Sequence, residues 1–251
     1  MTVLVTGGGR GIGRAIALRF AEPGATVAIA ARTRAQLDAT AVEIERRGAR
    51  AIVLAFDVTD EHGVAAAFDD LRRATDALDL LVNNAGIGGG LPISTTDTES
   101  WRRILDTNLW GMFLVTRQAV ASLRDGGRIV NVSSVLGRFG VAGYTAYCAS
   151  KHGVIGFTRA LALELAGRRI TVNAICPGWV DTGMAAQGMR LGASAMGITF
   201  EEFRSHAIGE VPIRRMIQPD EVAKLVKFLA SSNASAITGQ TYNICGGQAM
   251  D

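Results

Sequence analysis

Cysteine is scarce in this chain of 251 residues, with Cys148, Cys176 and Cys245 the whole complement. None stands in a Cys-x-x-Cys spacing and three are too few for a disulfide framework, so reduced, mostly buried thiols in a cytoplasmic setting are expected. Aromatic residues make up only 6% of the chain, and no run of one charge sign occurs: 26 Lys and Arg are scattered among 23 Asp and Glu, for a formal charge of +3. That balance offers neither the basic stripe nor the aromatic platform of a nucleic-acid binder. Long apolar runs are missing as well. No stretch approaches the roughly 18 uninterrupted apolar residues that cross a bilayer. The first apolar run, Val3 to Val5, leads at once into glycines, leaving no room for the segments of a signal peptide. The reading is a soluble protein with neither nucleic acid nor membrane as partner. Repeats and low-complexity linkers are lacking too, so one domain over residues 1–251 is expected.

What the chain does contain is a recurring series of short runs rich in Val and Ile. They lie at Val3 to Val5, Val27 to Ala30, Ile52 to Ala55, Leu80 to Val82, Ile129 to Val132, Val172 to Ile175 and Tyr242 to Ile244. Continuous rather than alternating apolar character marks strands covered on both faces. Helical spacing fills the gaps, at Ile12 to Ala21, Ala35 to Arg47, Val64 to Ala74, Ser100 to Leu123, Ala149 to Ala166 and Glu221 to Ala230. Together they predict an α/β fold, a doubly wound Rossmann-like domain whose seven-stranded parallel sheet carries helices on both faces. Two segments stand out. The Ala149 helix is apolar or glycine almost all round, which points to a subunit interface and a homo-oligomer, dimer or tetramer. Residues 182–217, with scattered glycines and methionines, read either as a lid over a substrate or as an ordinary small helix covering the core.

The first strand ends in Thr6-Gly7-Gly8-Gly9-Arg10-Gly11-Ile12-Gly13 and passes straight into a helix. Glycines let the backbone turn tightly against a pyrophosphate while free N–H groups and the helix dipole face the anion. Gly7, Gly9, Arg10, Gly11 and Ile12 are therefore candidate cofactor contacts. The second strand ends Ala30-Ala31-Arg32-Thr33-Arg34, with no carboxylate to accept from a ribose 2'-hydroxyl. Arg32 presents a planar fork to a 2'-phosphate, and Arg10 can reach the same group. NADP(H) is thus preferred and NAD(H) is the alternative; Arg34 reads as a solvated surface charge. Asp57 and Val58 follow the third strand, placed for an adenine amino group and ring. Asn83, Asn84, Ala85 and Gly86 follow the fourth, where strand ends form a ligand crevice. Asn83 reads either as a cofactor contact, the preferred assignment, or as a tie between strands.

Tyr147 and Lys151 are four residues apart on one helix face. A tyrosine is a poor base near neutral pH, but a neighbouring ammonium and a cationic nicotinamide favour its phenolate. Ser134, after the fifth strand, can donate to a carbonyl oxygen as charge develops on it. The spacing alone is a weak motif; its order behind the glycine turn and the fifth strand gives it weight.

With these residues in view, the chain resembles the short-chain dehydrogenase/reductase family, compact type, over essentially its whole length. The resemblance rests jointly on Thr6-Gly7-x-x-x-Gly11-x-Gly13, Asp57, Asn83-Asn84-Ala85-Gly86, Asn108, Ser134, Tyr147-x-x-x-Lys151 and Pro177-Gly178. It implies that Asn108 supports a water-linked proton relay to Lys151, which also holds the nicotinamide ribose. It further implies that the stretch from Pro177 and Gly178 reaches the cofactor, with Val180 and Thr182 at the nicotinamide carboxamide. Family spacing selects Ser134 over Ser133 as the active serine and leaves Ser133 bonding to backbone. The runs Ser150 to Thr158, Ile175-Cys176-Pro177-Gly178 and Ile244-Cys245-Gly246-Gly247 are similar to those of aromatic polyketide ketoreductases, and related hydroxyacyl and secondary-alcohol dehydrogenases are similar too.

Leu136, Tyr144, Trp179 and Met184, with Ile87 to Gly89, Phe139 and Val141, form a mostly apolar substrate side without a convergent charge. A neutral, moderately hydrophobic ketone is the expected substrate, interconverted with its secondary alcohol, and no metal is expected. His152 is assigned to packing or an interface and Cys148 to an inert thiol. Two other readings are an NAD-dependent secondary-alcohol or hydroxyacyl dehydrogenase and, from a different class, a non-catalytic NADP(H) sensor; the intact Ser134, Tyr147 and Lys151 set argues against the sensor.

Overall fold

In the computed structural model, which describes residues 1–250, strands Thr2–Thr6 (β1), Thr26–Ala31 (β2), Arg50–Ala55 (β3), Leu78–Asn83 (β4), Leu123–Val132 (β5), Thr171–Pro177 (β6) and Thr241–Ile244 (β7) form one sheet. All pair in parallel, in the order β3-β2-β1-β4-β5-β6-β7. Successive side chains on a strand point to opposite faces, and β1 shows what that does here. Val3 and Val5 pack with Ile16, Phe20, Leu37 and Val226 on one face, whereas Leu4 packs with Phe68, Leu114 and Leu161 on the other. Every residue of β1 is buried, which is why the run is continuously apolar.

Helices Gly11–Phe20 (α1), Arg34–Arg46 (α2) and Pro219–Leu229 (α9) supply the first face, and Glu61–Ala74 (α3), Gly111–Ser122 (α5) and Thr145–Leu165 (α6) supply the second. Local chemistry sets several starts. Asp60 accepts from His62 N at α3, and Pro219 in the first turn of α9 joins a Gln218 and Glu221 capping box. The sheet order reverses between β1 and β4, so their carboxyl ends open a crevice.

The continuous helix expected over Ser100 to Leu123 is instead Thr98–Leu105 (α4), a π-helical turn at Asp106–Trp110, and α5. Such a turn adds one residue to the helical repeat, and here it turns Asn108 inward, 2% exposed. Leu123 itself opens β5, paired with Leu78. Helix α6 starts at Thr145, four residues before the expected Ala149, so Tyr147 lies inside its first turn. Residues 182–217 hold two helices, Gly183–Met196 (α7) and Phe200–Gly209 (α8). They share a small core of Met189, Ala207 and Met216 with Trp179, Phe200 and Phe203, separate from the two cores on the sheet.

Candidate active site

The turn after β1 is shaped by packing as much as by ligand approach. Gly7 and Gly11 have φ of +68° and +54°, a left-handed backbone that favours glycine. A Cβ on Gly13 would stand 2.2 Å from the Gly7 carbonyl oxygen and 2.5 Å from Asn84 Nδ2, so only a hydrogen fits. Gly9 lies over α2, where a Cβ would come within 3.0 Å of Gln36 Cβ. Arg10 is the exposed N-cap of α1 with extended backbone; its side chain makes no capping bond and no acidic residue occupies the first turn. The leading N–H groups of α1, at Gly11 and Ile12, therefore face an unclaimed positive end, suited to a phosphate. A Cβ on Gly11 would be 3.4 Å from Thr182 Cγ2, which sets Thr182 opposite this turn.

Thr6 Oγ1 accepts from the backbone N–H of Asn84 and of Ala85, both at 3.0 Å, and Asn84 Nδ2 donates to Thr6 O at 2.8 Å. These bonds lock the loop after β4 onto the end of β1. Asn83 does not join them. Strand alternation turns it into the interior, 5% exposed, where its Nδ2 donates to Thr116 and Asn131, so the tie between elements replaces the preferred cofactor contact.

Beyond β2, Arg32 is exposed, with Nη1 3.5 Å from Asp57 Oδ2, while Arg34 pairs along its own helix with Asp38 at 2.8 Å. Burial works against charge on Asp57, but the Thr59 N–H and hydroxyl bonds, with Arg32 nearby, hold its carboxyl below the usual range. Val58 turns its side chain onto Gly111, where a Cβ would be 2.7 Å from Val58 Cγ2, and only 8% of Val58 remains exposed.

At the end of β5, Ser134 is extended and its Oγ accepts from Leu136 N at 3.2 Å. Ser133 Oγ donates to Lys151 O at 2.8 Å, and Lys151 Nζ donates to Val132 O at 2.9 Å. The Lys151 ammonium stands 5.7 Å from the Tyr147 ring centroid, on the same face of α6. Burial pushes the Tyr147 phenol up to about 12, with a Ser134 hydrogen bond pulling the other way; burial also brings Lys151 down to about 8. Asn108 clasps the loop after β4 from both sides: Oδ1 accepts from Ile87 N at 2.8 Å and Nδ2 donates to Ile87 O at 3.0 Å. Its Nδ2 also reaches Ser150 Oγ at 3.1 Å, and that hydroxyl donates to Tyr147 O at 2.8 Å. A Cβ on Gly86 would be 3.1 Å from Asn108 Oδ1 and 3.6 Å from Lys151 Nζ. Glycine turn, loop after β4, Asn108, Ser134, Tyr147 and Lys151 thus converge at one edge of the sheet. Ser150 had no signal in the sequence apart from its neighbours.

Comparison with known proteins follows the same lines. A family model described as enoyl-(acyl carrier protein) reductase matches residues 7–249. The 3-oxoacyl-(acyl-carrier-protein) reductase of Aquifex aeolicus is 38% identical over 247 residues, 97% of this chain and 95% of that protein. The chain belongs to the short-chain dehydrogenase/reductase family. A Streptomyces coelicolor relative named provisionally as a ketoacyl reductase is 41% identical over 97% of this chain and 95% of its own. The crystal structure of a variant actinorhodin polyketide ketoreductase with NADPH is 40% identical, covering 98% of this chain and 96% of that one, with a TM-score of 0.93.

Of the residues expected on the substrate side of this short-chain oxidoreductase, Met184 faces the loop after β4, its Sδ 3.9 Å from where a Gly88 Cβ would stand. The Tyr144 ring presses on Gly90, where a Cβ would be 2.9 Å away, and meets Tyr147 edge-on at 6.5 Å between centroids. Leu136 is half-buried, whereas Trp179 packs into the α7 and α8 core. His152 is exposed, its Nδ1 2.9 Å from Cys148 O on its own helix. Pro177, at the end of β6, is buried, and Gly178 packs on Cys245, where a Cβ would be 3.0 Å away.

Proposed function

We propose that this short-chain enzyme is an NADP(H)-dependent ketoreductase that interconverts a ketone and a secondary alcohol, with Tyr147 moving the proton. The observation that carries the proposal is the convergence of Tyr147, Lys151 and Ser134 with a glycine turn whose helix start is unclaimed by any carboxylate. The cofactor, when bound, supplies the hydride that adds to the carbonyl carbon. The chain does the rest. Tyr147 gives its phenolic proton to the carbonyl oxygen as the C=O π bond opens, Ser134 donates a hydrogen bond to that oxygen, and Lys151 supports the phenolate. Asn108 holds the loop after β4 beside Lys151 and so serves the path by which the proton is replaced.

Gly7, Gly9, Gly11 and Ile12 would hold the pyrophosphate; Asp57 and Val58 the adenine end; Asn84, Ala85, Gly86, Pro177, Gly178, Val180 and Thr182 the nicotinamide half. Arg32, with Arg10, would meet the 2'-phosphate. Arg32→Ala should cost roughly tenfold or more in preference for NADPH over NADH, the worth of a charge-assisted hydrogen bond. Steady-state rates with each cofactor on one ketone test this, and an unchanged preference, or NADH used as well by the parent enzyme, would remove NADP(H) from the reading.

Leu136, Tyr144, Trp179 and Met184 carry no charge, which favours a neutral, moderately hydrophobic carbonyl substrate. The α7 and α8 unit, with its own core, reads as a lid over it. The cytoplasm suits the three free thiols. A homo-oligomer, dimer or tetramer, accounts for α6, which leaves Leu163 82% exposed, and for Trp110 in the π turn, 45% exposed. Leu163→Glu should lower the sedimenting mass of the assembly; a parent enzyme that already sediments as a monomer defeats this part.

A further inference from the structure

On the side of the sheet facing α5 and α6 lies a row of buried polar side chains that the chemistry above does not use. Thr158 on α6, Asn131 on β5, Asn83 on β4 and Thr116 on α5 are 0%, 0%, 5% and 2% exposed. Hydrogen bonds join them end to end. The Thr158 hydroxyl donates to Val154 O at 2.7 Å and accepts from Asn131 Nδ2 at 2.9 Å. Asn131 Oδ1 accepts from Asn83 Nδ2 at 2.9 Å, and the same Nδ2 donates to Thr116 Oγ1 at 2.9 Å.

Apolar side chains of similar volume would fill this layer without desolvating four polar groups, and Asn83 Oδ1 has no hydrogen-bond partner among the described residues. The row is therefore not the cheapest way to stabilise the sheet. Its position suggests what it does instead. Thr158 is seven residues beyond Lys151 on α6, about two helical turns. Thr116 is eight beyond Asn108, Asn131 is three before Ser134, and Asn83 immediately precedes Asn84. Each member thus sits on an element that carries a residue of the site or lies within three residues of one.

We infer that Thr116, Asn83, Asn131 and Thr158 form a positioning ladder that fixes α5 and α6 against the sheet, and so sets Lys151 and Tyr147 against Ser134 and Asn108. Apolar packing is non-directional and lets a helix roll or slide, whereas a hydrogen bond constrains both distance and angle. Helix α6 is already tied near the site by Ser133 to Lys151 O and by Lys151 to Val132 O. Ties at one end alone leave a helix free to pivot; a second point of attachment, at Thr158, removes that freedom. The inference rests on Tyr147 and Lys151 being the reacting pair.

Thr158→Val exchanges the hydroxyl for a methyl group of similar size, and Thr158→Ser restores it. With NADPH and one ketone at saturation, Thr158→Val should lower kcat roughly tenfold, as small misplacements of reacting groups do. NADPH affinity should stay unchanged. The alkaline limb of the pH profile, set by Lys151, should move upward, because an ammonium displaced from its buried place loses part of the desolvation that brings it down to about 8, and Thr158→Ser should recover both. A Thr158→Val enzyme that melts earlier yet matches the parent in kcat and alkaline limb, well below its melting temperature, overturns the ladder. Should Thr158→Val fail to fold, Thr116→Val at the other end is read by the same criteria. Tyr147→Phe separates the two levels: a fully active Tyr147→Phe removes the reading of the site, whereas an inactive one beside a normal Thr158→Val removes the ladder alone.

Discussion

Replacing Tyr147 with phenylalanine is expected to lower ketone reduction roughly 10²- to 10⁴-fold, the range attached to losing a general acid, while NADPH binding persists. The ring stays, so its edge contact with Tyr144 and its place beside Lys151 survive. Only the proton is lost. Cofactor fluorescence titration together with single-turnover reduction checks both halves, and substantial remaining turnover would mean that the acid lies elsewhere. The parent enzyme's pH profile belongs to the same experiment. With its phenol near 12, Tyr147 stays protonated at neutral pH, which is the form that gives a proton to a ketone. Once the proton has left, the phenolate depends on the Lys151 ammonium, and a lysine near 8 turns into a neutral amine above that pH. Reduction should therefore fall as pH rises through about 8, and a profile flat well above that value would detach Lys151 from the proton step.

Gly13→Ala should cost the protein stability and its cofactor together. The added methyl would meet the Gly7 carbonyl oxygen at 2.2 Å and Asn84 Nδ2 at 2.5 Å, and the first of these is backbone that cannot swing away as a flexible side chain does. Overpacking of this kind costs about 1–3 kcal/mol, occasionally more. Relief would require α1 to retreat from the turn, taking the phosphate-facing N–H groups with it. Calorimetric melting and NADPH titration measure the two losses. Gly183→Ala is the control, since a Cβ there meets nothing within 4 Å. Equal behaviour of the two variants would refute the packing argument.

How much of this was open to reading from the residues depends on the range of the interaction concerned. Burial on both faces leaves an unbroken apolar run, so all seven strands could be placed from Val3 to Ile244, within two residues at each end except for β5, which starts at Leu123, six residues before the expected Ile129. Helical periodicity was less informative around Asn108, because an apolar stripe carries no mark of the one extra residue in a π turn. The same blindness affected Asn83 and Asn84. Neighbours on a strand point to opposite faces, and nothing in the pair Asn-Asn says which one looks into the crevice. The structure gives the clamp on Thr6 to Asn84 and the interior to Asn83. Residues 182–217 carried too few regular signals to distinguish a lid from a covering helix, and their fold as two helices on a separate small core follows from contacts such as Phe203 over Gly192, where a Cβ would meet the ring at 2.4 Å.

By itself, then, the sequence determined the alternation of strand and helix, the glycine turn at the first crossover, and the order in which Asn108, Ser134, Tyr147 and Lys151 follow it. These are local properties, written in the period of burial and in the conformational freedom of single residues. Tertiary structure alone decided which of those residues meet: Asn108 with Ile87 and Ser150, Ser133 with the Lys151 carbonyl, Asn83 with Asn131 and Thr158's partner row. Such contacts join positions from 18 to 48 residues apart. They depend on strand register and helix rotation, which the pattern of apolar residues narrows to a face and only the packed whole resolves to an atom.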